Sequence, residues 1–357
     1  MEKVNPAFLK TRQHFEILDG LRGIAALAVV TFHFMEVAYT DYSKDFIAHG
    51  FLAVDFFFCL SGFVIAYAYD GRIEKISTWE FFKFRLIRLH PLVILGTVLG
   101  LLAFMFDPFT DGAQAYSAGK LAIVIICSLL MIPVPNMPER VFNLFGLNAP
   151  AWSLFWEYVF NILYAIVLYK LARKWLWALL GIAALLISWV ALRADNLMGG
   201  WNGDTFWDGG VRIFYSFTAG MLVYRSNLII KNKLGFLGVA ALLMLAFLMP
   251  FGKCNWLTEP LVVMIYFPLI VALGAGTTLL NGMQKLCVFL GELSYPLYMT
   301  HYAVIWMFAG YYTAHKPDTL HLTGIIIGGL IVLPLFAWLV MKLYDKPLRG
   351  YLNSKRK

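Results

Sequence analysis

Two side chains suited to acid–base and anion-binding chemistry lie in the first long apolar stretch of the chain. The stretch LDGLRGIAALAVVTFHF, at 18–34, contains Arg22 and His33, which are eleven positions apart. On an α-helix this spacing is almost three turns, so the side chains share a face and lie about 16 Å apart. A neutral imidazole can accept a proton near neutral pH, and a guanidinium binds phosphate oxygens. The alternative is a packing arginine and a histidine that hydrogen-bonds a neighbouring helix.

A basic pair opens the third apolar stretch, in the sequence FFKFRLIRLHP. Arg85 and Arg88 are three positions apart there, so they face the same side of a helix. Planar guanidinium groups bind phosphate bidentately, and the pair therefore indicates a phosphate site at the cytoplasmic boundary. Anchoring to anionic lipid and orientation signalling are the alternative explanation of the same two charges.

Two carboxylates are candidates to assist a histidine base. Asp55, in AVDFFFCLSGFVI, falls about midway along the second apolar stretch and could orient an imidazole. Glu157, in PAWSLFWEYVFNILY, is expected about one or two helical turns below the outer surface. The alternative role of Glu157 is a structural ion pair with Arg212, which lies at a similar depth in RIFYSFTAGM.

Two polar stripes predict a polar cavity within the membrane. The first stripe recurs at helical spacing and comprises Ser153, Glu157, Asn161 and Tyr164. The second, in LGELSYPLYMTHYAV, comprises Ser294, Tyr298 and His301. We expect His301 near the depth of His33, and two buried imidazoles at one level favour chemistry over packing.

The composition is typical of a polytopic membrane protein. Of 357 residues, 61% are apolar and 14% are charged, whereas about a quarter of the residues in soluble domains are charged. The net charge of +8 arises in short loops between apolar runs. That pattern signals orientation in the membrane, so we expect no nucleic-acid partner. The four cysteines are far apart and lack metal-ligand spacing, so neither a metal site nor a disulfide framework is indicated.

Apolar runs of roughly 17–25 residues predict an all-α bundle of ten transmembrane helices. The runs lie near 17–38, 47–69, 86–106, 150–169, 175–193, 209–224, 234–251, 260–280, 286–312 and 322–344. With residues 1–16 and 345–357 both cytoplasmic, most Lys and Arg fall inside, as the positive-inside rule requires. A further run, Leu121–Pro135, is short and ends among prolines. We interpret 107–149 as an outer excursion that contains a re-entrant or interfacial segment. The whole chain, 1–357, is predicted to form a single domain.

Six segments, in this order, resemble the acyltransferase-3 group of membrane acyltransferases. They are LDGLRGIAALAVVTFHF, VDFFFCLSGF, RLIRLHP, WSLFWEY, RIFYSFTAG and LGELSYPLYMTH. The resemblance implies transfer of an acyl group, often acetyl, from cytoplasmic acyl-CoA to a hydroxyl of an externally facing glycan or glycolipid. It also implies a multi-pass protein of the bacterial cytoplasmic (inner) membrane. We expect this chain to lack the C-terminal esterase-like domain of some relatives, which leaves the final acceptor open.

The resemblance also implies which residues act. It carries function over to Arg22, His33, Arg85, Arg88 and Glu157. We expect the three arginines to bind the donor acyl-CoA, with no permanently bound cofactor. The catalytic candidates are His33, Glu157, Asp55 and His301. The candidates for lining the acceptor site or cavity are Trp152, Ser153, Asn161, Arg212, Ser294, Tyr295 and Tyr298.

A transporter or flippase for a glycan precursor is the alternative function. Such a protein also needs ionisable groups and polar stripes within the membrane. It does not need paired arginines aligned with a histidine about one pantetheine arm away. A lipid-scaffolding protein, in turn, would not need the polar stripe at 153–164. We therefore predict an acyltransferase.

Overall fold

The structure is a computed structural model that describes residues 14–279 and 282–355. The predicted all-α class is confirmed, since these residues contain no β-strand and only two isolated bridges. The basic residues before His14 and the last two residues, which we predict to be cytoplasmic, lie outside the described ranges. The α-helices are α1 (Glu16–Ala38), α2 (Ala53–Tyr69), α3 (Thr78–Met105), α4 (Ala118–Leu129), α5 (Ala151–Ile166), α6 (Arg173–Ala194), α7 (Phe206–Arg225), α8 (Gly235–Phe247), α9 (Asn255–Leu261), α10 (Phe267–Gly276), α11 (Gln284–Thr300), α12 (Tyr302–His315), α13 (Thr319–Val340) and α14 (Lys346–Lys355).

Every predicted apolar run overlaps at least one helix. Among the described residues, six helical stretches are long and apolar enough to cross a membrane, judged by length and composition alone. They are Glu16–Ala38, Gly50–Tyr69, Thr78–Met105, Arg173–Ala194, Asn255–Gly276 and Thr319–Lys355. The protein therefore has the helices of a multi-pass membrane protein, and the count of ten spans stays a prediction.

The predicted outer excursion contains one short apolar helix. Helix α4 has 12 residues, which is about 18 Å, less than the roughly 30 Å of a bilayer core. Its side chains are largely exposed, and Val124 and Ser128 are its buried residues. A segment of this length fits an interfacial position better than a crossing one. Its re-entrant or interfacial course remains a prediction.

The predicted span 286–312 is broken in the middle. Helix α11 ends at Thr300 and α12 begins at Tyr302, so His301 stands at the junction. Pro296 lies inside α11, and proline removes a backbone donor and crowds the preceding turn. Thr300 Oγ1 donates to the Pro296 carbonyl, one turn earlier, at 2.8 Å. His301 itself keeps right-handed helical dihedrals, and its imidazole is fully buried.

Two close helix pairs form the centre of the bundle, α1 with α11 and α2 with α7. Glycines permit the second contact. A Cβ added at Gly62 would lie 2.0 Å from the Phe217 carbonyl oxygen, and one added at Gly220 would lie 1.9 Å from the Cys59 carbonyl oxygen. Helices in membranes approach closely through such small residues. The backbones at this contact consequently leave no space for a side chain.

The C-terminal helices form one continuous stretch through a π-helical segment at Met341–Asp345. The predicted cytoplasmic tail from residue 345 is therefore helical as far as Lys355. Helix α14 packs against α3. This contact brings the end of the chain to the elements that carry the predicted arginine pair.

Candidate active site

A cavity of about 390 Å³ lies between α1, α2, α3, α5, α11 and the C-terminal helix. Its size is within the range of small-molecule sites, about 300–1,000 Å³. The ionisable side chains that line it are His14, Asp19, Arg22, Arg85, Arg88, Glu157, Glu292, Tyr295, Tyr298, Asp345 and Arg349. Four guanidinium groups and four carboxylates thus share the cavity, and its capacity for an anion depends on which guanidinium groups are free of a carboxylate partner.

Arg22 is anchored to the broken helix. Its Nε donates to Ser294 Oγ at 3.0 Å, and its Nη2 donates to the Gly291 carbonyl at 2.8 Å. Nη2 also lies 3.0 Å from Asp19 Oδ1, one turn earlier on α1. These contacts hold the guanidinium in the cavity wall.

Arg88 differs from its neighbour Arg85 in having no partner. Arg85 Nη2 donates to Glu157 Oε1 at 2.7 Å, and Arg85 is buried. Arg88 is exposed to the cavity and makes no hydrogen bond or ion pair to another residue of the described chain. The charges of Arg22, Arg85 and Glu157 all act on it. Among the described residues that line the cavity, Arg88 is consequently the arginine whose whole guanidinium is available to a ligand.

Glu157 occupies a different place from the expected one. Its Oε1 accepts from Arg85 and from Ser61 Oγ, the latter at 3.1 Å, and it makes no contact with Arg212. We expected Glu157 near the outer surface and Arg85 at the cytoplasmic boundary. Because their side chains are in contact, the two residues cannot lie at opposite boundaries. Glu157 is the seventh residue of the 16-residue α5, close to the helix middle. Arg85 lies about 10 Å from the start of the 28-residue α3, so the two side chains meet.

Asp55 binds an arginine and not a histidine. Arg212 Nε and Nη2 donate to Asp55 Oδ1 and Oδ2 at 3.1 Å and 2.6 Å, and Arg212 Nη1 donates to the Gly199 carbonyl at 2.8 Å. Both charged groups are almost fully buried. The packing of α2 on α7 places the two residues opposite each other, and a buried guanidinium requires a paired carboxylate. The interpretation of Asp55 as the orienter of His33 is therefore corrected. Arg212 was predicted to line the cavity, and this place is corrected too, since Arg212, Asp55 and His33 are all absent from the lining.

His33 pairs with Glu36, a residue that the sequence interpretation missed. The imidazole Nδ1 lies 2.5 Å from Glu36 Oε1, one turn along α1, and both side chains are about one-fifth exposed. The ring of His33 stacks on that of His301 with centroids 5.4 Å apart, and Tyr302 contacts it edge-on at 4.8 Å. The H-x-x-E spacing in HFME was the available signal, because residues three apart share a helix face.

His301 connects the cavity wall to His33. It is fully buried, its Nδ1 lies 3.1 Å from the Leu297 carbonyl, and its Nε2 has no hydrogen-bond partner among the described residues. Its ring centroid is 6.0 Å from that of Tyr298, which lines the cavity. The structure thus brings the two histidines together, although neither lines the cavity.

Tyr298 and Ser153 form the wall between the cavity and the histidines. Their hydroxyls are 2.8 Å apart, and both residues line the cavity. In order of ring contact, Tyr298 is followed by His301 and then His33. A ligand in the cavity as it stands reaches Tyr298 before it reaches either imidazole.

The other predicted lining residues divide into two groups. Ser294 and Tyr295 line the cavity, and the Tyr295 hydroxyl donates to the Leu89 carbonyl at 2.6 Å. Trp152 and Asn161 do not line it, which corrects their predicted place. The guanidinium of Arg212 lies 5.2 Å from the Trp152 ring centroid. Asn161 is fully buried in α5, and neither atom of its amide has a hydrogen-bond partner in the described chain.

A metal centre is not among the features of the described residues. No group of three or more His, Cys, Asp or Glu side chains in 14–279 and 282–355 could hold a metal ion. The four cysteines are free thiols.

Comparison with known proteins supplies the family. The model of an acyltransferase domain matches residues 15–341. Protein 2 in the picA locus of Rhizobium radiobacter is 39% identical over 43% of this chain and 82% of its own length. Acyltransferase MdmB of Streptomyces mycarofaciens is 30% identical over 48% of this chain and 44% of its own. O-acetyltransferase OatA of Staphylococcus aureus is 24% identical over 88% of this chain.

The chain spans about half the length of two of these relatives, 44% of MdmB and 54% of OatA. No solved structure matches it. The domain match covers almost the whole chain and includes Arg22, Arg85, Arg88, His33, His301 and Glu36. The chain therefore belongs to the acyltransferase-3 family of membrane acyltransferases.

Proposed function

We propose that the protein is an integral membrane O-acyltransferase that uses cytoplasmic acyl-CoA, with acetyl as the acyl group, and acylates a hydroxyl of an externally facing glycan or glycolipid. The observation that carries the proposal is the arginine-lined cavity, with Arg88 unpaired. Two ring contacts, Tyr298–His301 and His301–His33, connect its wall to the His33–Glu36 pair. An anion site and a general base are the two parts that this reaction needs.

The charges of the cavity arginines support a coenzyme A donor. Coenzyme A is a polyanion that cannot cross hydrocarbon, so its phosphates require cations at a cavity opening to the cytoplasm. Arg88 has free donors, and Arg85 and Arg22 lie within electrostatic range of it. Guanidinium forks match phosphate oxygens bidentately. The proposed topology, ten spans with both termini in the cytoplasm, puts the start of α1 and of α3 on this side.

The His33–Glu36 pair supports general base catalysis. When Glu36 accepts a hydrogen bond from Nδ1–H of His33, Nε2 is the acceptor and can serve as base. His33 then removes the proton of the acceptor hydroxyl as its oxygen attacks the thioester carbonyl carbon. The carbon–sulfur bond breaks, and the imidazolium returns the proton to the departing thiolate. The products are the O-acyl ester and coenzyme A.

The thioester must pass Tyr298 to meet His33. We infer that the Tyr298 side chain turns away from Ser153 when the pantetheine arm enters, since their 2.8 Å contact closes this end of the cavity. The Arg22–His33 separation of about 16 Å along α1 is comparable to the length of the arm. His301 lies on the same route with a free Nε2, and it is the alternative base.

The names of the relatives support a hydroxyl as the acceptor group. OatA is an O-acetyltransferase and MdmB an acyltransferase, which supports acetyl transfer to oxygen in this chain. We propose a hydroxyl of a glycan at the outer face of the bacterial inner membrane. Transport of a glycan precursor gains nothing from these comparisons, because MdmB and OatA are both named as transferases.

Mass spectrometry of the host's surface glycans tests the proposal. Strains with the gene, without it, and with His33→Ala in its place are compared. We expect an acetyl-sized mass and an alkali-labile ester in the first strain alone. Identical glycans in the first two strains, with the protein present in the membrane, would refute transfer to a glycan.

A further inference from the structure

The C-terminal helix contributes to the cavity from beyond the matched domain. The acyltransferase match ends at residue 341, whereas Asp345 and Arg349 line the cavity together with Arg88. The Tyr344 hydroxyl donates to the Pro91 carbonyl of α3 at 3.0 Å. This contact fixes the C-terminal segment beside the arginine pair, so Arg349 belongs to the cavity wall.

Arg349 is held in place and still has unused donors. Its Nη2 lies 2.6 Å from Asp345 Oδ2, and its side chain is 32% exposed. Its Nε is buried without a hydrogen-bond partner in the described chain, and so is Asp345 Oδ1. Because Nη2 is held by the carboxylate and Nε is buried, Nη1 is the group of this partly exposed side chain that is available to an anion.

The position of Arg349 relative to the other arginines defines two anion sites. Asp345 lies within electrostatic range of Arg88. Arg349 is one helical turn beyond Asp345 towards the chain terminus, and thus nearer the cytoplasm in the proposed topology. A ligand with phosphates at two separated positions fits such an arrangement. Coenzyme A has a diphosphate and, on its ribose, a separate 3′-phosphate.

We propose that Arg349 binds the 3′-phosphate of coenzyme A while Arg85 and Arg88 bind the diphosphate, so that the C-terminal helix selects 3′-phosphorylated donors. This assignment rests on the proposed function, since it presumes an acyl-CoA donor. A lipid headgroup phosphate has the same chemistry at the cytoplasmic surface, and the experiment separates the two sources.

The experiment measures dissociation constants for coenzyme A and 3′-dephospho-coenzyme A by calorimetry, using the full chain in nanodiscs of zwitterionic lipid. We expect the wild type to bind coenzyme A about tenfold more tightly than the dephosphorylated compound. Arg349→Gln should remove this preference and leave the affinity for 3′-dephospho-coenzyme A unchanged. Arg88→Gln should weaken the binding of both compounds.

Two further variants serve as controls. Lys342→Gln removes one positive charge from the same segment, and Lys342 lies over the Trp338 ring and not in the cavity wall. We expect it to keep the wild-type preference. Arg349→Lys keeps an ion-pair partner for the buried Asp345, so it decides the question if Arg349→Gln fails to fold. It should show an intermediate preference, because an ammonium lacks the planar fork.

The outcomes separate this assignment from the proposed donor. Binding of neither compound by the wild type would refute the donor and the assignment together. Equal binding of both, or a preference that survives Arg349→Gln, would overturn the role of Arg349 alone. A role in lipid binding would appear as a rise in melting temperature in phosphatidylglycerol nanodiscs that Arg349→Gln abolishes, with the coenzyme A preference intact, and it too would overturn the assignment.

Discussion

At the scale of single residues, the structure separates the proposed anion-binding groups from the proposed base. The arginines line the cavity, and the histidines lie behind Tyr298. The sequence predicted the arginines and histidines, because ionisable residues in apolar helices are rare and conspicuous. It could not predict the partner of each charge. Glu157 and Asp55 bind Arg85 and Arg212, respectively, and such pairings depend on helix packing that spacing within one helix does not reveal.

The first prediction concerns the base. His33→Ala should reduce acyl transfer by about 10²–10⁴-fold and leave acyl-CoA binding unchanged, since the phosphates are bound elsewhere. Purified, folded variants in nanodiscs are assayed separately for donor binding and for transfer. A folded His33→Ala protein with wild-type transfer would remove His33 from the mechanism and make His301 the leading candidate.

The second prediction concerns the newly identified Glu36. Glu36→Gln keeps the side-chain size and removes the charge that orients the imidazole of His33. We expect kcat to fall, to a value between those of the wild type and His33→Ala, with little change in the KM for acyl-CoA. Asp41→Asn, which removes an exposed carboxylate from the following loop, is the matched control. Equal kcat values for Glu36→Gln and the control would mean that the carboxylate does not position the base.

The third prediction concerns the unpaired guanidinium. Arg88→Gln should weaken coenzyme A binding about tenfold or more, and Arg88→Lys should restore it in part. Lys83→Gln removes a charge from the same helix outside the cavity, since Lys83 lies near Trp79 at the exposed surface. Calorimetry on the three variants compares them. If Arg88→Gln binds as tightly as Lys83→Gln, Arg88 is not part of the donor site.

At the scale of helices, apolar runs predicted where helices occur but not how they are joined or broken. The run at 286–312 proved to be two helices with His301 between them. Pro296 was a visible signal that the helix would be interrupted. That the interruption falls at residue 301 depends on neighbouring helices. The C-terminal helix extends to Lys355 through a π-helical segment, and a single-sequence pattern does not indicate that its charges turn towards α3.

The fourth prediction tests the close contact of α2 and α7. Gly62→Ala should destabilise the protein by about 1–3 kcal/mol or prevent folding, because the new methyl group meets the Phe217 backbone. Gly181→Ala on α6, where an added Cβ has no atom within 4 Å, should be neutral or slightly stabilising. Thermal unfolding in detergent compares the two. A Gly62→Ala protein as stable as Gly181→Ala would show that the helices are farther apart.

At the scale of the whole molecule, the composition indicated the class, and the order of the motifs indicated the family. The domain match over residues 15–341 confirms the family. Composition and loop charge could not establish the number of spans. Helices such as α4 and α8 are apolar but shorter than a membrane span requires, so their sequences do not show whether they cross. Topology therefore needs its own measurement.

The fifth prediction concerns that topology. Single cysteines at Ala118, the first residue of α4, and at Val141, beyond its end, should both react with a membrane-impermeant maleimide added to intact cells. A cysteine at Lys174 should react only after permeabilisation. Serine replaces the two more accessible native thiols, Cys127 and Cys254. Labelling of the first two positions from opposite sides would mean that α4 crosses the membrane, contrary to the ten-span prediction.

The central claim is that the donor enters from the cytoplasmic side and the acceptor receives the acyl group on the other. It is tested most directly in sealed membrane vesicles of defined orientation, with radiolabelled acetyl-CoA added to the outside medium. Inside-out vesicles expose the cytoplasmic face, and we predict that they label their glycan or glycolipid, whereas sealed right-side-out vesicles do so only after permeabilisation. Vesicles with His33→Ala should remain unlabelled in both orientations. Equal labelling of sealed right-side-out vesicles would contradict a cytoplasmic donor site.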